Sequence, residues 1–256
     1  MISYSLTTNL ESIKEYQKLA DEFSASYEIN DFTLPNLLDD TEKCNACIEL
    51  YKKAKMPAGS TMHGAFYDVI LFSNDSRIKE IGQMRMHQSM EIANALDLRA
   101  VVFHTNYNPF LMSKSYDQSV IRQTVSYLKT LLEEFPNITI LLENMFDECP
   151  DIILSICLEL KSYKNFGVCL DVSHAYLAGD EIEIWFQTLA SDIKEIHIND
   201  TDGKADLHLP LQEGVLPIYD VCEYIQTYCP NVRIVVEISD VSGQKSSLKL
   251  LHELLD

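Results

Sequence analysis

Histidines and carboxylates end a series of short apolar segments in this 256-residue chain, the pattern expected for a metal site at one rim of a barrel. The segment 101–103 leads into His104, and the segment 140–142 leads into Glu143. Imidazole and carboxylate ligands together suit zinc, manganese, cobalt or iron better than calcium or magnesium. Nine candidates exceed the needs of one ion and suit two or three ions that share carboxylates. The candidate metal ligands are His63, His104, Glu143, Asp171, His174, His197, Asp206, His208 and Glu237.

Each of these residues also has a structural explanation when it is taken alone. A strand-end histidine is most often a hydrogen-bonded structural group, and a strand-end carboxylate can cap the following helix. We assign Asp200 to such capping, and His87 and His252 to surface or packing positions. Independent structural roles would not place these groups on consecutive strand ends. The set as a whole therefore predicts metal chemistry, in which bound ions polarise a substrate oxygen and activate water.

The elements that must position these residues alternate along the chain as strand and helix. The predicted strands are 2–6, 26–30, 58–63, 100–104, 138–143, 166–171, 193–198 and 232–238. Apolar residues at helical spacing separate them, as in Met86, Met90 and Ala93, and Asp180 with Glu183 resembles a capping box. This alternation predicts parallel strands, and eight such units in about 250 residues favour an α/β fold, a single (β/α)8 TIM barrel.

The predicted barrel forms one domain over residues 1–256 and places the strand-end residues at its C-terminal rim, where active sites of this fold lie. An open doubly wound sheet is the alternative. That fold would have a glycine-rich turn after the first strand, and none follows the segment 2–6.

The formal net charge of −19, from 39 acidic and 20 basic residues, repels polyanions. It counts against a broad nucleic-acid footprint without excluding DNA as a substrate. No signal peptide and no long apolar run is recognisable, so we expect a cytoplasmic protein without membrane contact. Seven cysteines, an odd number, predict reduced thiols. Cys44 and Cys47 lie in a helical pattern and are expected in the core.

Four segments together resemble the xylose-isomerase-like TIM-barrel superfamily, which includes endonuclease IV (AP endonuclease family 2) and the sugar phosphate isomerase/epimerase-like proteins. They are 141–144, 169–175, 197–203 and 206–214. The resemblance covers nearly the whole chain. Its motifs are specific for the superfamily and discriminate poorly among its activities.

The likeness to the isomerases and epimerases implies a four-ligand site for one divalent ion, manganese, cobalt or zinc. Its ligands would be Glu143, Asp171, His197 and Glu237. Glu143 and Glu237 would also act as the catalytic acid/base pair that moves a proton beside a carbonyl. The substrate would be a small sugar, a polyol or a sugar phosphate.

The likeness to endonuclease IV implies up to three zinc ions, each with its own ligand set. The first set would be His63, His104 and Glu143; the second Glu143, Asp171, His197 and Glu237; the third His174, Asp206 and His208. The chain departs from that enzyme at His104-Thr105-Asn106, which replaces His-Pro-Gly, and at Gln212-Glu213-Gly214, which replaces Gly-Glu-Gly. This likeness implies a zinc phosphodiester hydrolase acting on abasic DNA or on a smaller phosphodiester.

Two hypotheses therefore stand, and the acidic charge places the metal-dependent isomerase or epimerase ahead of the phosphodiester hydrolase. The segment 106–117 is the expected specificity loop, with Asn106 and Tyr107 as candidate substrate-binding residues. Aromatic residues there could stack on a sugar or a base, or could pack the loop down. A homodimer formed through the outer helices is expected for this fold.

Overall fold

The predicted α/β barrel is confirmed by the computed structural model, which describes residues 1–66, 68–111, 113–179 and 181–255. Eight parallel strands pair in chain order, and β1 also pairs with β8, so the sheet closes. The strands are β1 (Ser3–Thr8), β2 (Ser26–Ile29), β3 (Thr61–His63), β4 (Ala100–His104), β5 (Thr139–Glu143), β6 (Phe166–Asp171), β7 (Ile193–Ile198) and β8 (Arg233–Val236).

Helices surround the barrel because their apolar stripes pack against the outer faces of the strands. They are α1 (Ile13–Phe23), α2 (Pro35–Leu38), α3 (Thr41–Lys53), α4 (Ser76–Ala95), α5 (Lys114–Glu134), α6 (Asp151–Leu160), α7 (Val172–Ala178), α8 (Ile182–Leu189), α9 (Ile218–Tyr228) and α10 (Val241–Leu255). The stripe Met86, Met90 and Ala93 is buried on α4, as its spacing predicts. Asp180, predicted to begin the capping box before α8, lies outside the described residues.

Strand boundaries differ from the prediction mainly where the backbone turns. Residues 100–104, 166–171 and 193–198 form strands with the predicted limits. β3 was predicted to begin at residue 58 but begins at Thr61, because Gly59 has a positive φ of 85° and turns the chain. Cys44 and Cys47 are buried free thiols on α3, which confirms their expected place in the core.

Alternate residues of every strand point into the barrel. The interior that they line has two chemically different halves. On the side of β4, β5 and β6, the inward side chains form a small apolar cluster: Ala100, Val102, Leu141 and Cys169. On the other side, β2, β7 and β8 contribute Glu28, Glu195 and Arg233. Among the described residues, no helix is long and apolar enough to cross a bilayer.

Candidate metal centre

All nine candidate ligands lie at the C-terminal rim of the barrel. His63, His104, Glu143 and Asp171 are the last residues of their strands, from β3 to β6. The chain then brings the remaining candidates to the same rim from four places: the end of β7 (His197), the residue after β8 (Glu237), the first turn of α7 (His174) and the loop after β7 (Asp206 and His208).

The first set gathers around one oxygen of Glu143. Its Oε2 lies 3.1 Å from Nε2 of His63 and 3.4 Å from Nε2 of His104. The two imidazole rings meet edge to face, with their centroids 4.7 Å apart. The ligand atoms of all three residues lie within 4.8 Å of one another, close enough for one ion.

The second set gathers around Nδ1 of His197. This nitrogen lies 3.2 Å from Oε1 of Glu143 and 3.2 Å from Oε2 of Glu237. Asp171 completes the set, and all four ligand atoms lie within 4.8 Å of one another. Glu143 therefore turns one oxygen towards the first set and the other towards the second.

The third set gathers around Asp206 and is more open than the other two. Oδ2 of Asp206 lies 3.3 Å from Nε2 of His174 and 3.0 Å from Nε2 of His208. The side chains of Asp206 and His208 are 37% and 29% exposed, whereas those of the second set are almost fully buried.

The distances in the first and second sets fit shared metal ions. Two ligands on one tetrahedral zinc, each about 2.0–2.1 Å from the ion, lie about 3.3–3.4 Å apart. Three buried atoms that face the second set have no hydrogen-bond partner: Asp171 Oδ2, His197 Nδ1 and Glu237 Oε2. Buried carboxylates this close together need positive charge between them, which a divalent cation would supply.

Backbone carbonyl groups fix which ring nitrogen of three imidazoles faces the centre. Nδ1 of His63 donates to the carbonyl of Gly64, and Nδ1 of His174 donates to the carbonyl of Asn144. Nδ1 of His208 likewise donates to the carbonyl oxygen of Glu237. Each of these hydrogen bonds directs Nε2 at the carboxylates, so that loss of its proton would expose a lone pair to a metal ion, which is how metal-binding histidines are commonly oriented.

The pKa values divide the centre into a neutral part and a protonated part. Burial lowers the pKa of His104 to about 4, so its lone pairs are available. Burial would also lower the pKa of His208, but the hydrogen bond to Asp206 raises it to about 10. Burial would raise the pKa of Glu143, but the neighbouring imidazoles hold it well below its usual value. Metal binding at the third set would therefore displace protons.

Two neighbouring segments of the chain hold Asp171 in place. Its Oδ1 accepts from the backbone N–H of His174 at 2.6 Å and so caps α7. The side chain of Asn144 donates to the Asp171 carbonyl and accepts from its N–H, both at 2.9 Å. Asp171 is thus clamped from two elements while its free oxygen faces the second set.

Asp200, which we expected to cap the following helix, instead organises the loop that carries the third set. Its carboxylate accepts backbone N–H groups of Thr201, Gln212, Gly214 and Leu216. Asp200 therefore supports the centre without facing it.

Glu28 on β2 is a residue of the centre that the sequence patterns did not reveal. Its Oε2 lies 3.3 Å from Nε2 of His197, the ring nitrogen opposite the metal-facing one. The one available signal is an acidic residue inside the otherwise apolar segment 27–29.

The two candidate substrate-binding residues lie in different environments. Asn106 lines a cleft of about 740 Å³ that opens beside His174 and Asp206. Tyr107 is buried, stacks on Tyr116 and donates its hydroxyl to Asp117, so its ring packs the specificity loop down. Exposed aromatic rings reach the cleft from Phe110 and Phe146.

The chain matches a known family and several known proteins. The sequence pattern of the family described as xylose isomerase-like TIM barrel matches residues 26–254. An uncharacterized protein of Methanocaldococcus jannaschii is 28% identical over 205 residues, which cover 76% of this chain and 69% of that protein. A probable endonuclease 4 of Mesomycoplasma hyopneumoniae is 28% identical over 167 residues, 57% of this chain and 54% of that protein. The match thus spans about half the length of this endonuclease.

Two solved structures share the fold across their whole length. A D-tagatose 3-epimerase-like protein has a TM-score of 0.78 and 24% identity, with 99% of this chain and 97% of that chain covered. Endonuclease IV from Thermus thermophilus has a TM-score of 0.67 and 13% identity, with 99% and 98% covered. At these identities the likeness establishes the architecture.

Proposed function

Since the chain belongs to the xylose isomerase-like TIM barrel family, we propose that it is a metal-dependent phosphodiester hydrolase that holds up to three zinc ions at this centre. The observation that carries the proposal is the position of Glu143 between two ligand sets. Its Oε2 faces His63 and its Oε1 faces His197, at 3.1 and 3.2 Å. With both oxygens engaged in this way, Glu143 would serve as a ligand shared by the two sets and would be a poor proton carrier.

The protein's own residues would bind and orient both the ions and the substrate. Zinc ions bound here would polarise a phosphoryl oxygen and offset its charge. His174 and Asp206 belong to the third set and also line the cleft, so a substrate in the cleft would reach that set directly. Lys204 lines the same cleft and would pair with a second phosphate oxygen.

A small phosphodiester suits this cleft better than duplex DNA does. The net charge of −19 opposes a long polyanion, because each additional phosphate would meet a repulsive field. Asp68 and Glu148 line the cleft together with Lys204, so its walls are not uniformly basic. A compact substrate with one phosphodiester would avoid most of this repulsion.

The isomerase or epimerase, which the sequence placed first, becomes the second candidate, and the four-ligand second set supports it. Glu143 and Glu237 both lie 3.2 Å from Nδ1 of His197 and could act together on one small substrate. This function needs a single divalent ion, and the extra histidines would then contact substrate.

Metal content and turnover, measured on the same preparation, separate the two candidates. The protein is purified without added metal or chelator and its metals are counted per chain by elemental analysis. It is then assayed on bis(p-nitrophenyl) phosphate, on an abasic DNA duplex, and for solvent deuterium exchange into ketoses. Close to three zinc ions with hydrolysis of the small diester is the expected result.

One ion per chain, with deuterium exchange and no hydrolysis, would replace the proposal by the epimerase. Nicking of the abasic duplex would extend the substrate to DNA. The His87→Ala variant is the control, because His87 is an imidazole on α4 that contacts Glu91 and Glu134, away from the centre. Its metal content and activity should match those of the parent protein.

A further inference from the structure

An acidic side chain lies beneath the candidate metal centre, inside the barrel. Glu28 is fully buried at the middle of β2 and points into the interior. Burying an isolated carboxylate costs free energy, so a buried glutamate needs a partner that offsets its charge. The partner here is His197, 169 residues away in sequence.

The contact between these two residues determines which ring nitrogen of His197 faces the metal sets. Nε2 of His197 lies 3.3 Å from Oε2 of Glu28, within hydrogen-bonding range. A carboxylate that accepts this Nε2–H leaves the lone pair on Nδ1, the atom that faces Glu143 and Glu237. His63, His174 and His208 show the opposite arrangement, since their Nδ1 atoms are the donors.

A second buried acid close to Glu28 has a partner of its own. Glu195 lies two residues before His197 on β7, but its Oε1 is 3.8 Å from the ring, too far for a hydrogen bond. Its Oε2 instead pairs with Arg233 at 2.9 Å, across the directly registered strand β8. Because Arg233 neutralises Glu195, Glu28 is the carboxylate that is free to accept the Nε2–H of His197.

We propose that Glu28 is a positioning residue that fixes the tautomer and ring plane of His197, so that Nδ1 is presented to the second metal set. The inference rests on the metal centre of the proposed function and not on the reaction catalysed there. It applies equally to a hydrolase and to an epimerase, because both would use His197 as a ligand.

The expected effect is on metal affinity. Loss of an outer partner of a metal-binding histidine typically weakens metal binding by about 10–100-fold. Glu28→Ala leaves Nε2 without an acceptor and lets the ring rotate or change tautomer. Glu28→Gln keeps a side-chain carbonyl that can accept the Nε2–H, so this variant should bind zinc within a few-fold of the parent protein.

Two measurements on the zinc-loaded protein test the proposal. Chelator competition gives the zinc affinities of the parent, Glu28→Ala and Glu28→Gln proteins. Long-range ¹H–¹⁵N correlation spectra of the imidazoles give each tautomer directly. The expected spectrum has one histidine with a protonated Nε2 and a metal-bound Nδ1, and Glu28→Ala should weaken one zinc equivalent by about 10–100-fold.

The control for a general loss of stability is Asp31→Ala, which removes a different, less deeply buried carboxylate that accepts hydrogen bonds from Tyr51 and the backbone of Leu10. It should lower the melting temperature and leave zinc affinity unchanged. Unchanged affinity in Glu28→Ala, or a metal-bound Nε2 in His197 of the parent protein, would overturn the positioning role while leaving the centre in place. A parent protein that binds no zinc or other divalent ion would overturn both proposals.

Discussion

The strand-borne and loop-borne parts of the candidate centre are built in different ways. The first and second sets use residues at or next to strand ends, where inter-strand hydrogen bonds hold the backbone, and the side chains of their candidate ligands are at most 9% exposed. The third set uses the first turn of α7 and the loop after β7, and its ligands Asp206 and His208 are partly exposed. Sites on strands are generally more rigid than sites on loops. We therefore expect tightly held ions in the first two sets and an exchangeable ion in the third.

The loop that carries the third set is held in place by hydrogen bonds to one side chain. Asp200, which follows β7 by two residues, collects four backbone N–H groups from the segment 201–216 and so replaces the sheet as the support of the loop. His208 has a positive φ of 49°, an uncommon conformation for a residue with a side chain, which this support maintains. The loop that carries the third set therefore depends on one carboxylate outside the candidate ligands.

The largest effect is expected from Glu143→Gln, because Glu143 supplies an oxygen to two sets. The amide keeps the shape of the side chain but loses the negative charge and one acceptor oxygen. Zinc affinity should fall by more than about 100-fold at both strand-borne sets, beyond the effect of losing an outer partner. Chelator competition and elemental analysis measure it, with Glu148→Gln at the cleft as the control. If the variant retained three ions per chain, Glu143 would not be shared.

The barrel and its rim were predictable because both depend on patterns that are local in sequence. Alternating apolar segments give the strands, and a polar residue at the end of each segment must face the C-terminal rim once the strands are parallel. His63, His104 and Glu143 follow this logic without knowledge of any contact. Asp206 and His208 follow it less directly, since their loop is positioned by Asp200.

The parts that could not be predicted depend on contacts distant in sequence. The segment 26–29 shows an acidic residue in a strand, but not that Glu28 meets His197 inside the closed barrel. Tyr107 follows a rim residue closely and suggests a substrate contact. Its position against Tyr116 and Asp117 depends instead on how α5 packs over the loop.

His208→Ala should remove one zinc equivalent and leave the two strand-borne ions in place. The lost imidazole contacts Asp206, which then retains only His174 as a neighbour in the third set. Hydrolysis of a phosphodiester should fall far more than metal content does, since the third set faces the cleft. Elemental analysis with a steady-state assay tests this, with His87→Ala beside it. Loss of all ions together would show that the sets are cooperative rather than independent.

A smaller effect is expected from Gly214→Ala, which disturbs the support of the loop without touching a ligand. An added Cβ would lie 2.2 Å from the Thr201 carbonyl and 2.3 Å from Oδ1 of Asp200, so the loop must shift. The third ion should bind about ten-fold more weakly, as for loss of an outer partner. Gly59→Ala is the control, because it strains a positive-φ turn before β3 without a steric contact within 4 Å. A larger fall in zinc affinity at the strand-borne sets than at the third set would contradict the view that Asp200 and its loop support the third set alone.

The smallest effect is expected at the cleft wall, in Phe146→Ala. Phe146 is 58% exposed, so its removal should change the free energy of unfolding by less than about 0.5 kcal/mol. If its ring stacks on substrate, a contact of about 1 kcal/mol is lost and KM rises about five-fold with kcat and zinc content unchanged. Leu158→Ala, an exposed apolar residue on α6, is the matched control. A kcat that falls with KM unchanged would instead show that Phe146 acts on the candidate metal centre. The cleft wall and the centre would then not have separate roles in binding and catalysis.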